Sequence, residues 1–333
     1  MRLILGAVAA LVLALSLPAR VSAQTKVTFG TDWLAEAEHG GFYEALALGL
    51  YRKHGLDVTI RMGGPANNPI QQVAAGVVDL QLTSGSFDAV NAVEQDVPVV
   101  AVAAYFQKDP QVLISHPGQG NDTLEAMRGK PIMISAAARN GYWLFLKAKF
   151  GFTDEQIRPY TFNMAPFLAD PHAIQQGFVS SEPYQIERAG GVKPVVNLLA
   201  DSGYAGYSAL VLTRADTVRD RPQVVRAFIE ASTEGWYRYL YGDPKPAHDL
   251  ILAANNEMTQ PVLDNARTVM TSYGIADSGD SLTLGLGAMT DARWRAFFDD
   301  CVKAGLYKPD TDVRKAYTLQ FVDAGYGMEL RRP

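Results

Sequence analysis

"KVTFGTDWLAEAEHGGFYEALALGLYRKHGLDVTIRM", residues 26–62, decides the fold. "KVTFGTDW" has the composition of a strand, and from about Gly40 to His54 the residues Phe42, Ala45, Leu46, Gly49 and Leu50 recur at helical spacing. Arg52, Lys53 and His54 set positive charge against the negative end of that helix, and Gly55 supplies a left-handed cap. "LDVTIRM" then reads as a second strand. Strand, helix and strand in this order predict a parallel sheet with covering helices.

The alternation continues outward from this unit. "PIQQVAAG" reads as a helix, "DLQLTS" as a strand and "FDAVNAVEQ" as a helix, while "VPVVAVAAYF", from Val97, is a near-continuous apolar run predicting a strand buried on both faces. Polar residues and Pro110 in "FQKDPQ", 106–111, break the pattern and predict a crossing between lobes. Strands "VLISH", "PIMIS", "FVSSE" and "PVVNLLA", with helices around 141–150 and 171–176, build a second, smaller lobe. "DSGYAGYS", 201–208, predicts the return crossing; "ALVLTR" resumes a strand, and amphipathic helices follow at 222–241 and 261–273. The expectation is an α/β chain of two lobes with parallel or mixed sheets. Lobe I is discontinuous, 24–106 and 207–333, and lobe II, 107–206, is inserted between. A double-crossing hinge of this kind permits closure on a ligand.

The N-terminus, "MRLILGAVAALVLALSLPARVSAQ", carries an early positive charge, an apolar run from Leu3 to Leu17, and small residues ahead of Gln24. The run is short for a membrane span of about 20 residues, so 1–23 reads as a cleavable secretory signal and the mature chain as periplasmic. Cys301 is the only cysteine, which excludes an intrachain disulfide and a lipid-anchored cysteine at the cut. The sequence holds 30 basic and 35 acidic residues, and removing Arg2 and Arg20 takes the net charge to about −7. No basic stripe is present to displace counterions from phosphates, which argues against a nucleic-acid partner.

Several motifs carry a family resemblance: "DW" at 32–33, His39 six residues beyond the tryptophan, "GFYEALALGLYRKHGLDV" from Gly41, "GVVDLQL" from Gly76 and "SSEPY" from Ser180. Together they resemble the SsuA/THI5-like solute-binding proteins of ABC importers over nearly the whole mature chain. The resemblance implies a periplasmic binding protein fold of type 2 and a monomer that hands a small-molecule ligand to an ABC permease in the inner membrane. The Asp-Trp-His spacing resembles the branch that binds thiamine pyrimidine precursors. Other members bind sulfonates, nitrate, riboflavin and aromatic carboxylates. A further branch consists of pyrimidine synthases that consume pyridoxal phosphate and a histidine of their own chain. Against that branch Thr83 stands in place of the cofactor-bearing lysine and Phe87 in place of the donated histidine. A threonine forms no Schiff base and a phenyl ring has no nitrogen to donate, so the expectation is a binding protein without catalytic residues or cofactor.

Candidate ligand contacts follow from residue chemistry at strand ends, where ligands of such sheets sit. Asp32 is suited to accept from an amino group or ring nitrogen, or to cap the helix at Gly40; Trp33 offers a face to a flat ring, or packs in the core. His39 precedes Gly40 and Gly41, whose bare N–H groups suit an anion, yet Asp32, Glu36 and Glu38 favour a neutral or weakly basic ligand instead. Ser84 and Gly85 present a hydroxyl and N–H groups, or cap the next helix. From lobe II come Ser135, Arg139, Asn140 and Trp143. Arg139 suits a carboxylate or sulfonate, held with Ser135 and the N–H groups after Ser84, or pairs with Glu182 or Asp32 across the cleft. Glu182, kept extended by Pro183, and Tyr184 complete the set, with Tyr184 or Trp143 closing a sandwich on Trp33. The five histidines show no metal-binding spacing, and neither Walker, dinucleotide, nucleophile-elbow nor zincin motifs occur.

Overall fold

The computed structural model describes residues 23–65 and 67–331, so the expected signal peptide lies outside the described residues except for Ala23. Its strands are β1 Thr25–Gly30, β2 Leu56–Arg61, β3 Leu80–Gly85, β4 Val99–Phe106, β5 Gln111–Ser115, β6 Ile132–Ile134, β7 Ile157–Pro159, β8 Ile174–Phe178, β9 Val195–Leu198 and β10 Ser208–Arg214. They form two mixed sheets, ordered β2-β1-β3-β10-β4 and β7-β6-β8-β5-β9. In the first, β1 runs parallel to β2 and β3, and β10 is antiparallel to β3 and β4. In the second, β6 is parallel to β7 and β8, and β5 is antiparallel to β8 and β9. The chain passes between sheets after β4 and returns before β10.

Every residue of β4 is buried although the strand lies at a sheet edge. The C-terminal chain covers that edge: Ala104 N–H donates to Gly287 O (3.0 Å) and Thr318 N–H to Ala101 O (2.9 Å). Arg293, on the helix Asp291–Lys303, ties the two crossings together. Its guanidinium donates to Gln107 O, to Ala205 O (3.1 Å) and to Gly206 O (3.2 Å), and lies 4.1 Å over the Tyr207 ring. One side chain thus spans both stretches of chain that pass between the two sheets.

The expected helix at 40–54 is two helices, Gly40–Ala47 and Leu50–Lys53, separated where Gly49 takes φ 67°. Gly40 and Gly41 serve packing. A Cβ on Gly41 would lie 2.1 Å from Trp236 and one on Gly40 2.2 Å from the Tyr239 ring, both on the helix Pro222–Tyr241. Gly235 returns the favour, since its Cβ would stand 2.2 Å from Gly41 O. The reading of these glycines as anion-gripping N–H groups is corrected accordingly: bulky rings cover them. Phe29, Phe42 and Phe228 continue the same core, with Phe29 at 4.6 and 4.9 Å from the other two ring centroids.

Lobe II departs from expectation at 171–182. The expected helix at 171–176 gives way to strand β8, and the expected strand "FVSSE" is a turn leading into the helix Glu182–Gly190. The misread residues are the buried Gln175 and Gln176. Gln176 Oε1 accepts from Ser135 N–H (2.5 Å) and Tyr142 hydroxyl (3.1 Å), so tertiary partners satisfy polar groups whose sequence pattern suggests an exposed face. Glu182 is the first helical residue, with Pro183 in the opening turn where its missing N–H costs nothing.

Candidate ligand-binding cleft

Asp32, Trp33 and His39 lie together beyond the carboxyl end of β1. His39 is 2 % exposed, and its Nε2 faces Asp32 Oδ1 at 3.0 Å and Glu36 Oε1 at 3.9 Å. An imidazole facing a carboxylate carries its proton on that nitrogen, which leaves Nδ1 buried and without a partner. Glu38, next to it, is buried and accepts the hydroxyl hydrogen of Ser180 from lobe II.

Glu182 meets this group from the other lobe. Its Oε2 accepts from Phe178 N–H (2.8 Å) and its Oε1 from the Tyr160 hydroxyl (3.3 Å). Burial pushes its carboxyl up to about 7, against those hydrogen bonds, and the Glu38 charge adds to the rise. Burial raises Glu38 too, and Glu36 rises well above the ordinary range through burial and then the charges of Glu38, Asp32 and Glu182. Asp88 is pushed up to about 6 by burial, with Asp32 contributing, and Asp109, in the first crossing, to about 7 by burial. None of these acids forms an ion pair with a lysine or arginine among the described residues.

An aromatic pair sits beside the acids. Trp33 stacks at 4.2 Å, tilted 45°, against Phe162 of lobe II, which in turn lies 5.1 Å from Tyr160. Phe162 is 39 % exposed and holds φ 60°, a left-handed conformation that a bulky residue adopts only at a cost of about 1–3 kcal/mol. Neither Phe162 nor Tyr160 was singled out from sequence; the one signal was "YTFNM", aromatics at alternate positions after a strand.

The other expected contacts are engaged with protein partners or lie apart from the acids. Asp88 accepts from the N–H groups of Ser84 (3.1 Å) and Gly85 (3.4 Å), so these donors are already engaged. Ser135 is buried and occupied with Gln176 and Ala138, and Asn140 O accepts from Asn91 across the lobes (3.1 Å). Arg139 is exposed and pairs with neither Asp32 nor Glu182; the carboxylate that feels its charge is Asp154, lowered first by its bond to Lys147, then Trp143. Trp143 is corrected from cleft wall to core: it is buried, packs on Phe152 at 5.6 Å and donates Nε1–H to Asp154 Oδ1 (2.9 Å). Tyr184 turns its ring to Arg188, one helical turn on, whose guanidinium stands 5.7 Å away. Thr83 is buried in β3, and Phe87 packs edge-on against Phe297 at 5.1 Å.

Comparison with known proteins bears on this cleft. A family model described as NMT1/THI5 like matches residues 36–247. The riboflavin-binding protein RibY of Chloroflexus aurantiacus is 25 % identical over 90 % of this chain and 87 % of its own. The formylaminopyrimidine-binding protein of Halalkalibacterium halodurans is 24 % identical over 70 % of this chain and 71 % of its own. Among solved structures, the periplasmic aliphatic sulphonate binding protein SsuA of Escherichia coli superposes with a TM-score of 0.65 at 11 % identity, covering 87 % of this chain and 91 % of that one.

Proposed function

The chain belongs to the NMT1/THI5-like family, and from that premise we propose that it is an extracytoplasmic solute-binding protein that passes a flat, donor-bearing heteroaromatic ring, such as a thiamine pyrimidine precursor, to an ABC permease. One observation carries the reading: acids from both lobes, Asp32, Glu36, Glu38 and Glu182, converge beside the Trp33–Phe162 pair without a lysine or arginine to balance them. Asp32 faces His39. Burying an unpaired carboxylate costs several kcal/mol, so Glu36, Glu38 and Glu182, all raised, favour their protonated forms until something supplies positive charge or N–H donors. Amino groups and protonated ring nitrogens do so, and an anion does the opposite.

Trp33 supplies the stacking face, worth about 1–3 kcal/mol for a base-like ring. Phe162 occupies that face in this structure and gives way as the ring enters. The carboxylate or sulfonate reading loses its support, because Arg139 lies near Asp154 and the N–H groups of Ser84 and Gly85 are spent on Asp88. A pyrimidine-synthase activity fits poorly with a threonine at 83 and a core phenylalanine at 87. An extracytoplasmic location agrees with the signal-like N-terminus and with the family.

A thermal-shift and calorimetry panel of an aminopyrimidine, riboflavin, an alkanesulfonate and benzoate tests the proposal. A ligand binding only the folded state at 100 times its Kd adds about 2.7 kcal/mol. Stabilisation by the donor-bearing rings supports it; stabilisation by the acids alone overturns it.

A further inference from the structure

A cavity of about 320 Å³ opens where the return crossing runs between the lobes. It shares no residue with the cleft. Phe87 and Phe297 come from lobe I, Phe145 from lobe II, and Tyr204 from the crossing itself. Phe87, Tyr204 and Phe297 are buried and packed on one another under the cavity, and Phe145 is half-buried at its wall. Phe87 and Tyr204 are parallel within 12° at 6.1 Å, Phe145 meets Tyr204 at 5.2 Å, and Phe297 stands edge-on to Phe87.

The rim is charged. Lys149 and Lys303 both line the opening against a single carboxylate, Asp300, which pairs with Lys303 at 2.9 Å. Lys149 Nζ donates to Ser202 O (2.7 Å) and lies 5.7 Å from the Phe145 ring, which leaves its positive charge uncompensated beside the apolar floor. This local positive excess stands out in a chain of net charge −5.

We infer that this cavity is a second ligand site, for a small aromatic organic acid whose ring lies on Phe87, Phe145, Tyr204 and Phe297 and whose anionic group meets Lys149. Its volume is at the lower end of the range, about 300–1,000 Å³, of small-molecule sites, enough for one or two rings. An occupant touches both lobes and the crossing at once. It also covers Cys301, which lines the cavity and is the only thiol of the chain.

The test uses the mature chain with two fluorescent probes of like shape, anilinonaphthalene sulfonate and the neutral phenylnaphthylamine. Ala148 lines the cavity from an exposed helical position, so Ala148→Trp fills the space without disturbing the core. Saturable one-to-one binding of the sulfonate is expected, weakened at least tenfold by Ala148→Trp and unaffected by Trp33→Ala in the cleft. The pair Lys149→Gln with Lys303→Gln should weaken the sulfonate at least fivefold and leave the neutral probe within twofold. Bound sulfonate should also slow mercurial labelling of Cys301. Sulfonate binding that survives Ala148→Trp, or falls with Trp33→Ala, overturns the proposal. Equal loss of both probes in the lysine variant overturns the acid specificity. The Trp33→Ala arm separates this site's failure from failure of the cleft reading.

Discussion

The Ser180 hydroxyl of lobe II donates its hydrogen to the buried Glu38 carboxylate of lobe I. This bond joins the loop after β1 to the turn after β8, and it forms only when the lobes are together. Ser180→Ala leaves a buried acceptor unsatisfied in the closed form alone, a loss of about 1–3 kcal/mol. The expected result is a larger radius of gyration by small-angle scattering of the unliganded chain. Ligand affinity should also fall by roughly 5- to 150-fold in calorimetry.

The raised carboxyls set a pH dependence whose sign is opposite to that of ordinary salt-bridged acids. Glu182 titrates near 4.5 when unfolded and about 7 when folded, so the folded state holds the proton more tightly between those values. Its contribution is intact below pH 4.5 and is lost as pH rises through 7. Glu44 and Asp109, also pushed up to about 7 by burial, act in the same direction. The melting temperature should therefore decline from about pH 5 to pH 8, and the decline should be shallower in Glu182→Gln. A parallel shift of both curves would refute the assignment to Glu182.

A donor-bearing ligand stacked on Trp33 requires that face and not the ring of Tyr184. Trp33→Ala should cost about 1–3 kcal/mol of binding energy. Tyr184→Ala should leave affinity within about twofold, because its ring is engaged with Arg188. Phe162→Ala removes the residue that covers Trp33 and relieves its φ of 60° only in part, since alanine at positive φ remains strained. Its expected signature is faster ligand association in stopped-flow, because the Trp33 face no longer has to be uncovered, with little change in release.

Arg293 makes the crossings one mechanical unit. Lysine keeps the charge but lacks the planar fork that reaches Gln107, Ala205 and Gly206 together and stacks on Tyr207. Arg293→Lys should lower the melting temperature and raise hydrogen exchange at 106–110 and 203–208, while exchange in β1 and β2 stays unchanged.

Much of the architecture was legible because it rests on local pattern. β4 reads as apolar throughout and is buried throughout, and the helix Pro222–Tyr241 begins at its proline. Polar residues inside lobe II were illegible, since Gln175 and Gln176 become strand residues only once Ser135, Tyr142 and Tyr160 are placed around them. The turn at Asp32, Trp33 and His39 was readable as chemistry. Its partner Phe162 was not, because a loop aromatic has no periodicity to announce which lobe it faces. Trp143 was misassigned for the converse reason: residue type suggests stacking, and helical position says nothing of direction until Asp154 and Phe152 fix it.

Gly41 separates the two meanings of the opening stretch. If its N–H served a ligand anion, Gly41→Ala would change affinity with little effect on stability. In the structure an added Cβ meets Trp236 at 2.1 Å, and the facing Gly235 leaves no slack because its own position abuts Gly41 O. Trp236 is fully buried among Phe42, Tyr105, Phe106 and Tyr239, so it can move only by displacing other rings. Overpacking of this kind costs about 1–3 kcal/mol. Gly41→Ala should therefore lower the urea midpoint with an unchanged m-value, while calorimetry on the folded fraction finds the ligand Kd within about twofold of the parent. A preserved midpoint with weakened binding would return these glycines to the ligand site and with them the case for an anion.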